Sequence, residues 1–153
     1  MISPGGGLAD LYREVILDHS RSPRNRGEMA EANRQADGFN PLCGDRLRLF
    51  LRVDADDAVR EASFVGDGCA ISTASASLLT EALRGRSQEE ALDLIRRFRA
   101  MVSGETEPGD PALGKLAVFA GVRDYPTRVK CATLAWHTLK AALLKTGETA
   151  RTE

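Results

Sequence analysis

Arg46-Leu47-Arg48-Leu49-Phe50-Leu51-Arg52-Val53 alternates apolar with charged or aromatic positions at period two. Leu47, Leu49, Leu51 and Val53 face one way, and Arg46, Arg48 and Arg52 face the other, so the stretch predicts a half-buried strand with one face in water. Asp54-Ala55-Asp56-Asp57 has turn chemistry, and Val59 to Val65 reads as the partner strand of a hairpin. The sheet is therefore antiparallel and early in the chain.

Upstream, Leu8, Leu11, Tyr12, Val15 and Ile16 form one helical face, ended by Ser22-Pro23-Arg24-Asn25. Glu28 to Asn40 shows no clear period and suits a loop or a poor edge strand. Downstream of Gly68 the pattern is helical. Ile71, Leu78, Leu79, Ala82 and Leu83 share a face. Ser87-Gln88-Glu89-Glu90 has a capping-box pattern, and Leu92, Ile95, Phe98 and Val102 continue that helix. Ser103 to Pro111 is a Gly/Pro break, Leu113 to Phe119 a short helix, and Thr127 to Lys145 a last one, with Gly147 as its stop. Sheet first and helices afterwards predict an α+β fold, a small antiparallel sheet of about three strands with helices packed on one face. No repeat or linker divides the chain. Residues 1–153 are expected to form a single domain, with flexible tails at 1–7 and 148–153.

The composition narrows the function. The 153 residues are 42% hydrophobic, enough for a core without disulfide staples. Twenty-one basic and 22 acidic residues nearly cancel, which gives no electrostatic case for nucleic acid or an anionic membrane. No apolar run is long enough to span a bilayer, and Met1 to Asp10 carries no signal-peptide pattern, so a cytoplasmic location is expected. In a reducing compartment the three cysteines read as free thiols or metal ligands.

Cys43 lies in Asn40-Pro41-Leu42-Cys43-Gly44-Asp45, a turn ahead of a strand. Cys69 follows Gly66-Asp67-Gly68, between hairpin and helix, and Cys131 lies near the start of the last helix. All three fall at element ends, where side chains can reach a common mouth. Helix N-termini would favour thiolates at Cys69 and Cys131, and Cys43 and Asp45 could leave one loop together as ligands. Spacing and composition alone fit two readings, a metal site and three inert packed thiols.

Whole motifs separate the two. Leu11-Tyr12-Arg13-Glu14-Val15-Ile16-Leu17-Asp18-His19 with Ser22-Pro23-Arg24-Asn25-Arg26-Gly27 resembles the opening of the NifU/IscU-like iron–sulfur cluster assembly proteins. Asn40 to Asp45, Gly66 to Ser77 and Arg128 to Trp136 resemble that family's three cysteine motifs, in its order and over nearly the whole chain. The IscU-type scaffolds carry a histidine just before the third cysteine, where this chain has Lys130, and lack a helix-sized insertion such as Gly85 to Gly109. Both departures resemble the SufU type.

That resemblance implies a SufE/NifU-like fold and zinc held by Cys43, Asp45, Cys69 and Cys131. Arg128 would support Asp45 through a charge-assisted hydrogen bond. It implies zinc-dependent sulfurtransfer: Cys43 accepts persulfide sulfur from a cysteine desulfurase, a PLP enzyme of the SufS type, and passes it on, with downstream Fe–S scaffold proteins as further partners. The alternative is a scaffold on which these residues assemble iron and sulfur into a transient cluster. A non-catalytic protein with a structural zinc is a third reading.

Other residues have plainer readings. His19 reads as a satisfied or surface histidine, with a partner-facing role open through its motif, and His137 as solvated. Gly5-Gly6-Gly7 lacks the Lys and Ser/Thr of a phosphate loop. Trp136 and Leu139 are helix-face residues.

Overall fold

The computed structural model describes residues 7–152; Met1 to Gly6 of the expected N-terminal tail, and Glu153, lie outside the described residues. Helix α1 (Gly7–Arg21) is followed by strands β1 (Arg34–Asn40), β2 (Asp45–Val53) and β3 (Val59–Asp67). Helices α2 (Ala70–Leu83) and α3 (Gln88–Val102) come next, then a 3-10 segment over Gly114–Asp124, helix α4 (Pro126–Leu144) and the short strand β4 (Ala150–Arg151).

The alternation in β2 does what its pattern requires. Leu47, Leu49, Leu51 and Val53 are buried against the helices, whereas Arg48 and Arg52 lie on the open face, paired with Asp37 and Glu61 of the neighbouring strands. Phe50 is buried on that opposite face, apart from the main core. β2 and β3 pair antiparallel with a register shift at Arg52/Val53, and β1 pairs antiparallel with β2 from Arg34 opposite Leu51 to Asn40 opposite Asp45.

Two parts of the sheet differ from expectation. β1 is a full strand of seven residues, and β4 docks parallel to it, giving the order β3-β2-β1-β4 and placing Ala150–Arg151 in the sheet rather than in a loose tail. β1 hid its period because its inward positions are small or polar. Ala36, Gly38 and Asn40 let α4 lie close, and a Cβ on Gly38 would stand 2.1 Å from Thr138 Oγ1.

The helices stack in two tiers. α4 covers β1 and β2, α2 lies on β3 and on α4, and α1 lies on α2. Trp136 of α4 stacks on Phe98 of α3 with ring centroids 4.4 Å apart, and its indole N–H donates to Ser75 Oγ at 3.0 Å. The Ser and Ala residues after Cys69 serve this close packing: Ser75, Ser77 and Ala74 are fully buried. Ser87 and Glu90 close the expected capping box on α3. Lys145, with φ of 52°, ends α4 in place of Gly147. His19 is 3% exposed, its Nδ1 2.7 Å from Ser77 Oγ, so it ties α1 to α2 and is not presented to a partner. No helix among the described residues is long and apolar enough to cross a membrane.

Candidate metal centre

The β1–β2 hairpin places the first two site residues. Asn40 and Asp45 face each other across its closing pair, and Gly44 N–H donates back to Asn40 O at 2.9 Å. Pro41 to Gly44 thus form a tight tip, and Gly44 holds φ of 72°, which favours glycine. Leu42 N–H donates to Asn40 Oδ1, tying the tip down, while Leu42 itself is 60% exposed. Cys43 sits exposed on this tip.

Cys69 is the N-cap of α2, its sulfur accepting from Ser72 N–H at 3.4 Å. Cys131 is buried in the second turn of α4, behind Pro126 at the helix start, so it gains less from the helix N-terminus than its expected place would give. The three elements converge. Cys131 Sγ is 3.5 Å from Cys43 Sγ, and one ligand atom each from Cys43, Asp45 and Cys131 lies within 4.8 Å of the other two. Cys69 stands just outside that threesome but touches it on both sides: its thiol interacts with Cys131, and its N–H donates to Asp45 Oδ1 at 2.9 Å.

The thiols are electrostatically unequal. Cys69 is pulled down to about 6, first by the hydrogen bond with Cys131 and then, against burial, by Ser72 N–H. Cys131 is pushed well above the ordinary thiol range by the same partner and by burial. Of the pair, the surroundings favour the thiolate at Cys69 and the thiol at Cys131.

Asp45 is 1% exposed, and among the described residues no ion pair reaches it. Its carboxylate takes hydrogen bonds from Cys69 N–H and, at 3.4 Å, from the Asn40 amide rather than from Arg128. Arg128 lies exposed, with its guanidinium 4.5 Å over the Tyr125 ring. A buried carboxylate beside three thiols lacks a counter-charge, and a soft divalent cation would supply it. The donor set fits that ion.

Three residues complete the site that motif reading did not single out. Asn40, fully buried, donates to both Asp45 Oδ2 and, at 3.6 Å, Cys131 Sγ. Ser72 caps Cys69. At Gly68 an added Cβ would stand 2.3 Å from Ser72 Oγ and 3.1 Å from Asp45 Oδ1, so only glycine lets the carboxylate and the helix start meet. The polar lead into Cys43 and the paired glycines before Cys69 were the available signals.

Comparisons with known proteins show which family the chain belongs to. The chain is 41% identical over 144 residues to the zinc-dependent sulfurtransferase SufU of Bacillus subtilis, covering 94% of this chain and 97% of that one. It is 42% identical over 136 residues to the iron–sulfur cluster assembly scaffold protein IscU of Streptococcus pyogenes, covering 89% and 84%. Among solved structures, a candidate iron–sulfur cluster assembly scaffold protein for the SUF system from Fervidobacterium islandicum superposes with a TM-score of 0.80 at 36% identity, over 85% of this chain and 94% of that one. The NifU-like N terminal domain matches residues 11–132, and the chain belongs to that family.

Proposed function

We propose that this chain is a sulfur carrier in iron–sulfur cluster biogenesis, taking persulfide sulfur from a SufS-type, PLP-dependent cysteine desulfurase onto Cys43. The observation that carries the reading is the convergence of Cys43, Asp45 and Cys131, with Cys43 alone on an exposed hairpin tip. A relative 41% identical is named a zinc-dependent sulfurtransferase, which supports it. Cys43, Asp45, Cys69 and Cys131 would hold the zinc ion, which when bound keeps thiols deprotonated near neutral pH.

The division of labour follows from how each thiol is held. Cys69, although exposed, is held as a helix cap and Cys131 is buried in a helix, so both suit the part of fixed ligands. Cys43 sits exposed on a four-residue tip, outside any helix or strand, where a partner can reach it. Its thiolate attacks the outer sulfur of the partner's cysteine persulfide. A new sulfur–sulfur bond forms on Cys43, the partner's sulfur–sulfur bond breaks, and its cysteine leaves as a thiolate. No outside oxidant or reductant is needed. Asn40 and Asp45 keep the base of the tip in place.

The test is sulfur transfer from 35S-labelled L-cysteine through a desulfurase. Label should appear on the wild-type chain, be released by dithiothreitol, and be absent from Cys43→Ser. If Cys43→Ser still raised desulfurase turnover to the wild-type level, the assignment would be wrong. A second reading, cluster assembly on the same residues, is favoured by the 42% identity to a relative named as a scaffold. Anaerobic reconstitution separates them: a stable, transferable cluster favours assembly, and retained zinc without a cluster favours transfer.

A further inference from the structure

A groove of about 610 Å³ runs between α3 and α4, and none of the three cysteines lines it. Its floor is apolar, with Leu92 and Ile95 from α3 and Val129 and Leu144 from α4; Leu144 is 48% exposed. Its rim is cationic. Arg96 and Arg99 stand on one bank and Lys140 on the other, against one lining acid, Glu105. Arg96 is already paired with Asp93, but no ion pair holds Arg99 or Lys140 among the described residues. Half-buried His137 lies between them, its ring held neutral down to about pH 4 by burial and by these two cations.

We propose that this groove is the docking site for an acidic amphipathic helix of a partner protein. Val129, Thr133, His137, Lys140 and Leu144 recur at helical spacing, so they form one straight stripe along α4. At about 1.5 Å per residue the stripe is roughly 22 Å long, the length of a helix of about 15 residues. A helix laid in such a groove anchors apolar residues at i, i+3 or i+4, and i+7. Here its flanks must be acidic, because the two free cations stand on opposite banks. A second copy of this chain is a poor occupant: an isologous contact through this face would set Arg99 and Lys140 against their own copies. The lining leaves Cys43 uncovered, so this partner and a sulfur donor can be held together.

The test pans a phage-displayed library of random 16-residue peptides on the whole zinc-loaded chain. Enriched peptides are then synthesised with fluorescein and titrated by anisotropy. They should carry Leu, Ile or Phe at helical spacing between Asp and Glu. Their binding should weaken at least about tenfold in the double variant Arg99→Glu/Lys140→Glu and stay unchanged in Lys115→Glu. All three positions are exposed, so these variants should fold, which circular dichroism checks. Failure to enrich any peptide, peptides without the acidic pattern, or binding indifferent to the double reversal would each overturn the proposal. So would charge-dependent binding of phosphatidylglycerol vesicles without peptide binding, which assigns the face to a lipid surface. Self-association abolished by the double reversal would assign it instead to a second copy.

Discussion

The sulfur atoms of Cys43 and Cys131 lie 3.5 Å apart across 88 residues of sequence. The contact is made by packing alone. α4 lies over β1 and β2, close because Gly38 offers no side chain, and this brings its second turn over the hairpin tip that carries Cys43. Two thiols at this separation beside a buried carboxylate could share one cation.

Metal content is the first consequence. Protein purified from cells should hold roughly one zinc per chain, and Asp45→Ala, Cys69→Ser and Cys131→Ser should each lose it. Asp45→Ala is the sharpest of the three. It removes the buried anion but keeps every sulfur, so full zinc content in that variant, read by plasma emission spectrometry, would exclude the carboxylate as a ligand.

Asn40 should matter almost as much. Its amide holds Asp45 and Cys131 together while its oxygen anchors the tip at Leu42. Asn40→Ala should leave the fold intact and weaken zinc binding about 10- to 100-fold, as loss of an outer partner of metal ligands does elsewhere. Chelator competition measures this directly, and cobalt substitution should report the altered ligand geometry as shifted thiolate-to-cobalt charge-transfer bands. An unchanged affinity would make Asn40 a turn residue only.

The close approach of α4 to β1 yields a stability prediction. In Gly38→Ala the new Cβ meets Thr138 Oγ1, and Leu134 Cδ1 lies 3.2 Å away. The variant should lose about 1–3 kcal/mol in urea unfolding. Thr138→Ala in the same chain should restore part of that loss, because it removes the nearest atom. Additive losses in the double variant would mean the two residues do not clash.

Much of this was legible in the sequence, and the parts that were not have physical reasons. β2 and β3 announced themselves because one face is apolar and the other charged. β1 did not, because the residues it turns toward α4 are small or polar. β4 is two residues long, too short for any period. The hairpin tip and the N-cap cysteine could be placed from Pro and Gly punctuation. The burial of Cys131 could not, since it depends on how closely α4 lies on β1 and β2. Arg128 invited pairing with Asp45 by charge, but Tyr125, three residues earlier on the same turn, takes its guanidinium. His137 looked like a solvated residue until α3 supplied a wall beside it.

That wall gives His137 a measurable effect on stability. Its ordinary value of 6.5 falls to about 4 in the folded chain, by burial first and then by Arg99 of α3 and Lys140 of α4. Below pH 6.5 the unfolded chain takes up a proton that the folded chain refuses, so stability falls as pH drops from 6.5 to 4 and is indifferent to this group above 6.5. With partial solvent screening the loss should be on the order of 1–2 kcal/mol. His19 is lowered too, by its burial against α2, and adds a loss of the same sign. Comparing wild type with His137→Leu cancels that contribution along with those of the carboxylates whose values the fold lowers, such as Asp18 and Asp93. The difference between the two urea midpoints should shrink in favour of His137→Leu as pH falls from 6.5 to 4. Parallel profiles over that interval would show that the ring protonates freely and that the groove is more open to water than its packing implies.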